Sequence, residues 1–269
     1  MNGWLNINTI TFSTMSEKTI KLAVLNGEPE IFHTIQGEGV SMGVPSIFIR
    51  ASLCNLHCKW CDTDYTWNWK GTPWPHEHDS DPAYQKFDKQ DFLTEIATSE
   101  VASLVAQFPC RNIILTGGEP LLQQDAWIDL IQKLRAVDTQ YRFEVETNGT
   151  QVPQQAFASL IDQFNVSPKL ENSGNALGLR DKPEAMAYYA GQDRTWFKFV
   201  ISETSDLQEV LALVQQYHIP HDKVLLMPEG RDDQTLQQKR LWLADYCRDH
   251  GFRYSDRLHI QLWGSKRGV

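Results

Sequence analysis

The amino-acid sequence predicts an α/β fold built on a mostly parallel sheet, and three observations carry that expectation. From about residue 46, short β-rich runs alternate with helix-length amphipathic stretches, which implies parallel strands joined by crossover helices. Most of these runs are rich in Val, Ile, Leu and aromatics rather than strictly alternating, as expected of strands buried on both faces. Four successive runs lead into small and polar residues, so four loops gather at the carboxyl ends of the strands, where ligands bind in such folds.

The expected strands are SIFIRAS (46–52), NIILTG (112–117), YRFEVETN (141–148), FNVSP (164–168), WFKFVI (196–201), KVLLMP (223–228) and RLHIQLW (257–263). The first leads directly into a cluster of cysteines, and the next three end in TGGEP (116–120), ETNG (146–149) and SPK (167–169). DFLTEIATSEVASLVAQF (91–108) reads as a helix with Phe92, Ile96, Val101, Leu104 and Val105 near one face. LLQQDAWIDLIQKLRAV (121–137) reads as another, with Leu130, Ile131 and Leu134 at helical spacing. DLQEVLALVQQYH (206–218) and TLQQKRLWLADYCRDHG (235–251) follow, the latter closed by Gly251 as a C-cap. The segment 68–90 carries three of the twelve prolines and no periodicity, and reads as an insertion over one end of the sheet. Residues 1–15 are expected to be a disordered extension, because Met15 opens MSEKTIKLAVLNGEPEIF like a conventional start. Residues 16–269 then make a single domain.

Composition narrows the function classes. The 269 residues are enough for a sizeable core. A net charge of −9, from 25 Lys+Arg against 34 Asp+Glu, argues against direct nucleic-acid binding, which needs a basic face. There is no apolar run long enough to span a membrane, and the N-terminal stretch has neither the basic start nor the apolar core of a secretory signal. Five cysteines, three of them crowded together, suit a reducing cytoplasm better than a disulfide framework.

The crowded cysteines are Cys54, Cys58 and Cys61 in RASLCNLHCKWCDTDYTWNW (50–69). Neighbouring loop cysteines are poorly placed for unstrained disulfides, so their thiolates converge on a metal centre. Two readings stand at this point. Zinc takes a closed tetrahedron, with His57 as the fourth ligand. An iron–sulfur cluster on three thiolates leaves one iron free to bind something else. Cys110, before a strand, and Cys247, in a helix, read as small core residues. His76 and His78, in a Pro- and Asp-rich loop, read as solvated rather than as a second metal site.

The C-x3-C-x2-C spacing, with Trp60 before the third cysteine and TGGEP at a following strand end, resembles the radical S-adenosylmethionine superfamily. HTIQGEGVSMGVPSIFIRASLCNLHCKWCDTDYTW (33–67) resembles, more narrowly, the 7-carboxy-7-deazaguanine synthase family. The resemblance continues through ILTGGEPLLQ, FEVETNGT, VSPK, FKFVI, LLMPEG and RLHIQLWGSKRGV, leaving out the first 15 residues and 68–90. It implies an abridged, partly open (β/α) barrel of the radical SAM type. It also implies a 4Fe-4S cluster on Cys54, Cys58 and Cys61, whose open iron chelates S-adenosyl-L-methionine for reductive cleavage to a 5′-deoxyadenosyl radical. The implied reaction is that of a carbon–nitrogen lyase: 6-carboxy-5,6,7,8-tetrahydropterin becomes 7-carboxy-7-deazaguanine with loss of ammonia. Hydrogen leaves C6 of the pterin and is later returned, and magnesium (Mg2+) assists at the substrate carboxylate. A small-molecule pterin substrate, a flavodoxin- or ferredoxin-like reductant and a homodimer belong to the same implication. A glycyl-radical activating enzyme and a zinc-stabilised binding module are the rival classes.

The resemblance distributes roles over the motifs. Ile35, Gln36, Gly37 and Glu38 in IQGEG offer an amide, a carboxylate and exposed backbone to a pterin edge; a plain turn is the alternative. Arg50 ends a strand and suits a carboxylate, with a surface ion pair as the alternative. Thr116 approaches the substrate. Trp60, Cys61, Asp62, Gly118, Glu146, Thr147, Ser167 and Lys169 surround S-adenosylmethionine. Spacing alone favours Asp62 for magnesium, whereas the resemblance assigns it to Thr63. In the C-terminal QLWGSKRGV, Gln261, Trp263, Lys266 and Arg267 close over the substrate, join a dimer contact or form an exposed tail.

Overall fold

A computed structural model describes residues 17–269; the proposed extension at 1–15 lies outside the described residues. The strands are β1 (Thr19–Leu25), β2 (Glu28–Pro29), β3 (Ile31–Ile35), β4 (Pro45–Ala51), β5 (Leu93–Ala97), β6 (Asn112–Gly117), β7 (Arg142–Thr147), β8 (Gln163–Val166), β9 (Thr195–Ile201), β10 (Val224–Pro228) and β11 (Arg253–Tyr254). The helices are α1 (Lys89–Phe92), α2 (Thr98–Val105), α3 (Gln124–Val137), α4 (Gln155–Ala158), α5 (Leu177–Arg180), α6 (Pro183–Ala190), α7 (Asp206–Gln216), α8 (Asp233–His250) and α9 (Leu258–Trp263).

The strands form one open sheet that does not close into a barrel. β4, β6, β7, β8, β9, β10 and β11 lie side by side in sequence order and run parallel. The opposite edge is antiparallel: β3 and β1 border β4, and β2 and β5 pair with β1. Asn26 and Gly27, both left-handed at φ 54° and 84°, make the two-residue turn between β1 and β2, where a primed turn matches the strand twist.

Inside the parallel strands one phase of the alternation is apolar. Ile47, Ile49, Ile113, Leu115, Phe143, Val145, Phe164, Phe197 and Phe199 join the hydrophobic core with Trp127, Leu130, Ile131 and Leu134 of α3 and Val210 and Val214 of α7. The alternate residues Arg50, Thr116, Glu146, Asn165 and Lys198 line a cavity instead. The central strands are thus buried on both faces, as expected, with helices against one face and, toward the carboxyl ends, a polar cavity against the other. FEVET and FKFVI carry the alternation in their own sequence.

Two elements differ from their expected type. Helical periodicity over 91–108 is interrupted, because Leu93–Ala97 pairs residue by residue with Ala23–Thr19 of β1. An unpaired edge strand supplies backbone partners that local helical preference cannot match. RLHIQLW is not a strand but mostly helix α9: Leu258 N–H donates to the carbonyl of Gly37 at 2.9 Å, and only Ile260 of the helix is buried. The other expected helices form, and α8 ends on left-handed Gly251 after starting on Asp232, which accepts from Thr235 N–H at 2.8 Å. Cys110 and Cys247 are buried. Among the described residues, no helix is long and apolar enough to cross a membrane.

Candidate active site

The cysteine loop leaves the carboxyl end of β4 and is held there by the turn after β6. Gly118 N–H donates to Ala51 O at 3.0 Å and Glu119 N–H to Leu53 O at 2.8 Å. A Cβ on Gly117 would stand 2.2 Å from Ala51 O, and one on Gly118 would stand 2.0 Å from Leu53 O. The glycines of TGGEP thus permit close approach of the chain to its own cysteine loop. The buried Glu119 carboxylate ties this turn to the next strand end, accepting from Thr147 Oγ1 at 2.8 Å and Asn148 N–H at 2.7 Å. Burial pushes its carboxyl up, against those hydrogen bonds.

A cavity of about 500 Å³ opens at this end of the sheet. Every site residue expected from the sequence lines it: Ile35, Gln36, Gly37 and Glu38; Arg50; Cys54, Cys58, Trp60, Cys61, Asp62 and Thr63; Thr116 and Gly118; Glu146, Thr147, Ser167 and Lys169.

All three cysteines are free. In the thiol form, burial raises each: Cys58 is pushed up to about 12, Cys54 and Cys61 in the same direction. Thiols this buried need a positive centre to ionise, which is what a metal cluster provides. Among the described residues, no three His, Cys, Asp or Glu side chains stand close enough to hold a single metal ion. His57 stacks on Trp74 at 3.9 Å between ring centroids and edges onto Trp67. A three-thiolate polynuclear cluster therefore fits this donor set better than a closed zinc tetrahedron.

The wall opposite the cysteines is polar and internally bonded. Gln36 Nε2 donates to Glu146 at 3.0 Å, and Thr116 Oγ1 donates to the other oxygen of that carboxylate at 2.6 Å. Glu38 is gripped by Lys198 and by Arg257 Nε at 3.0 Å, with His259 4.0 Å away. Burial alone would push the Glu38 carboxyl up; Lys198 and Arg257, with His259, outweigh it and hold the group well below the usual carboxylate range. Arg257 also grips Asp62 and donates to Gly230 O at 2.6 Å. Burial pushes the Asp62 carboxyl up, but Arg257 and Arg50 together outweigh it and hold the group below its usual value. Gly37 packs closely on its neighbour, since a Cβ there would meet the His259 ring at 2.2 Å unless the ring moved.

Arg50 makes no surface ion pair. Its Nε donates to fully buried Glu30 at 2.9 Å, and Glu30 also takes Arg267 Nη2 at 2.6 Å and Tyr65 Oη at 3.2 Å. The C-terminal segment is thereby folded back, and Ser265, Lys266 and Arg267 line the cavity; Gln261 instead donates to Asp256 and Trp263 is partly exposed. The expectation of solvated histidines fails for His76, which is buried with Nε2 3.1 Å from Cys61 O and its ring stacked on Tyr84. His78 remains accessible, beside Arg231. The segment 68–90 thus packs onto the cysteine loop, and Glu77 N–H donates to Lys59 O at 2.8 Å.

Sequence reasoning missed Glu30, Trp67, Glu119, Asn175, Lys198, Arg231, Arg257 and His259. A lysine at a cavity-facing position of FKFVI was a usable signal for Lys198, and a carboxylate inside TGGEP for Glu119. Trp67 sits six residues from its partner Cys61, and the remaining residues meet distant partners and leave no local trace.

Residues 35–172 match a family described as a 4Fe-4S single cluster domain. A 7-carboxy-7-deazaguanine synthase of Pyrobaculum aerophilum is 34% identical over 243 residues, spanning 89% of this chain and 95% of the relative. One from Halobacterium salinarum is 32% identical over 255 residues, spanning 87% and 89%. The crystal structure of QueE from Escherichia coli superposes with a TM-score of 0.61 at 22% identity, covering 89% of this chain and 95% of that one, which shows a shared fold. With a three-cysteine centre at the carboxyl ends of an open parallel sheet, and this identity over nearly the whole length, the chain belongs to the 7-carboxy-7-deazaguanine synthase family of radical S-adenosylmethionine enzymes.

Proposed function

We propose that this chain converts 6-carboxy-5,6,7,8-tetrahydropterin to 7-carboxy-7-deazaguanine with loss of ammonia, in the cavity at the carboxyl ends of β4, β6, β7, β8 and β9. The observation that carries the reading is that the three cysteines and the Gln36–Glu38–Thr116–Glu146 wall face one cavity. When bound, the cluster and S-adenosylmethionine supply one-electron chemistry that ends in hydrogen abstraction.

The residues divide that space. Cys54, Cys58 and Cys61 hold the cluster. Trp60, Asp62, Gly118, Glu119, Thr147, Ser167 and Lys169 surround S-adenosylmethionine; Lys169 Nζ is kept in place by Ser167 Oγ at 3.0 Å. Gln36, Glu38 and Glu146 offer acceptors to the N–H edge of a pterin, and the cations around Glu38 keep it ionised for that purpose. Arg50, steadied through its Nε by Glu30, turns its remaining donors toward a substrate carboxylate. Thr63 would supply a neutral oxygen to Mg2+, which would assist at the substrate carboxylate. A flavodoxin- or ferredoxin-like reductant, a cytoplasmic setting and a homodimer complete the proposal.

Anaerobic reconstitution should load four irons per chain, and incubation with the pterin, S-adenosylmethionine, Mg2+ and a reductant should yield the deazaguanine acid. Cofactor cleavage without that product would refute the substrate. Stable zinc with no iron would refute the whole reading. Cys58→Ala should abolish cluster binding and turnover while leaving the circular-dichroism spectrum of a folded α/β protein.

A further inference from the structure

Each of the three cysteine sulfurs faces a different N–H donor. Leu56 N–H points at Cys54 Sγ from 3.5 Å, within the cysteine loop. Asn175 Nδ2 stands 3.3 Å from Cys58 Sγ, reaching in from a loop 117 residues further along the chain. Trp67 Nε1 stands 3.3 Å from Cys61 Sγ, at the end of the 3-10 turn Asp64–Thr66. Trp67 is 3% exposed and Asn175 8%. Two of the donors are therefore buried side chains that are not ligands.

Their orientation is set by the surroundings. The Asn175 oxygen accepts His57 N–H at 2.9 Å, a bond only the oxygen can take, so the amide nitrogen must face Cys58. Arg180 Nε donates to the Asn175 carbonyl at 3.2 Å and steadies the loop. The Trp67 ring is wedged edge-on against His57, and Leu53 N–H donates to Thr66 O at 3.0 Å beside it. An N–H aimed at a thiolate favours the state with more negative charge on sulfur, and burial strengthens the effect. Reduction of a cluster adds such charge.

We propose that Trp67 and Asn175 are positioning residues that raise the reduction potential of the cluster by donating N–H to Cys61 and Cys58. The inference rests on the reading that the three cysteines hold an iron–sulfur cluster. Removing a donor makes the reduced cluster less stable and leaves the ligands in place.

The test is a dye-mediated potentiometric titration of the reconstituted protein with dithionite, without substrate, read by the electron paramagnetic resonance signal of the reduced cluster. Trp67→Phe keeps an aromatic ring and loses the N–H; Asn175→Leu keeps the branched shape and loses the amide. Trp69→Phe is the control, because its Nε1 bonds Tyr65 O at 3.1 Å in the same segment and no sulfur. At the potential that half-reduces the wild type, each single variant should show a lower reduced-to-oxidised ratio. The double variant should fall about tenfold, equivalent to about 59 mV for a one-electron couple. Trp69→Phe should match the wild type. An unchanged midpoint in Trp67→Phe, an equal shift in Trp69→Phe, or loss of iron in Trp67→Phe would overturn the proposal. A wild type that loads no cluster would instead overturn the reading beneath it.

Discussion

Glu30 and Glu38 are the carboxylates on which most of the cavity's cations converge. Glu30 holds Arg50, Arg267 and Tyr65 from a fully buried position, so Glu30→Gln leaves two guanidiniums beside a neutral amide. Breaking a buried pair by removing one partner costs about 3–5 kcal/mol. The expected result is a lower thermal midpoint together with faster carboxypeptidase release from the C-terminal segment, measured on the same sample. Glu38 carries a pH signature. Its carboxyl is held low in the fold, so the stability it contributes is present above the ordinary value of 4.5 and is lost as the pH falls below it. The difference in thermal midpoint between wild type and Glu38→Gln should be widest near neutrality and narrow below about pH 4.5. A difference that widened toward acid would reverse the assignment.

At the level of elements, glycine placement separates rigid from yielding contacts. A methyl on Gly118 meets the backbone of Leu53, which has nowhere to go, whereas a methyl on Gly37 meets the His259 ring, which can swing. Gly118→Ala is therefore expected to displace the cysteine loop and lower iron content on reconstitution. Gly37→Ala should retain iron and raise the KM for the pterin. If both variants load iron equally, the turn after β6 is not what holds the loop. The elements also show how far local pattern carries. α3 follows its periodicity because Trp127, Leu130, Ile131 and Leu134 have one apolar sheet face to meet. β5 does not follow its own, because the edge of β1 competes for its backbone, and α9 departs because Arg257 and the Gly37 carbonyl bend the chain across the cavity mouth. In both cases the deciding partner lies far away in sequence.

The whole molecule is organised by the alternation within its parallel strands, which sends one side chain to the helices and the next to the cavity. Neighbours in β9 make the contrast testable. Phe199 is fully buried in the core, and Lys198 reaches Glu38 in the cavity. Phe199→Ala should cost about 3–5 kcal/mol in denaturant unfolding, with iron per folded molecule unchanged. Lys198→Met should lose turnover with little loss of iron. Equal effects of the two substitutions on iron loading would mean that the two faces are not separable in this way.

The sequence by itself determined the α/β class, the mostly parallel strands and the motifs at their carboxyl ends. Cysteine spacing, the glycine turn and the strand-end motifs are each contiguous, so their chemistry is written within a few residues, and every site residue named from them lines one cavity. Tertiary structure alone decided what faces those residues. Asn175 lies 117 positions from Cys58, Arg257 lies 219 from Glu38 and Arg267 lies 237 from Glu30. Such pairs form only when the sheet brings distant loops to one end, and no local periodicity encodes which buried charge will need which partner.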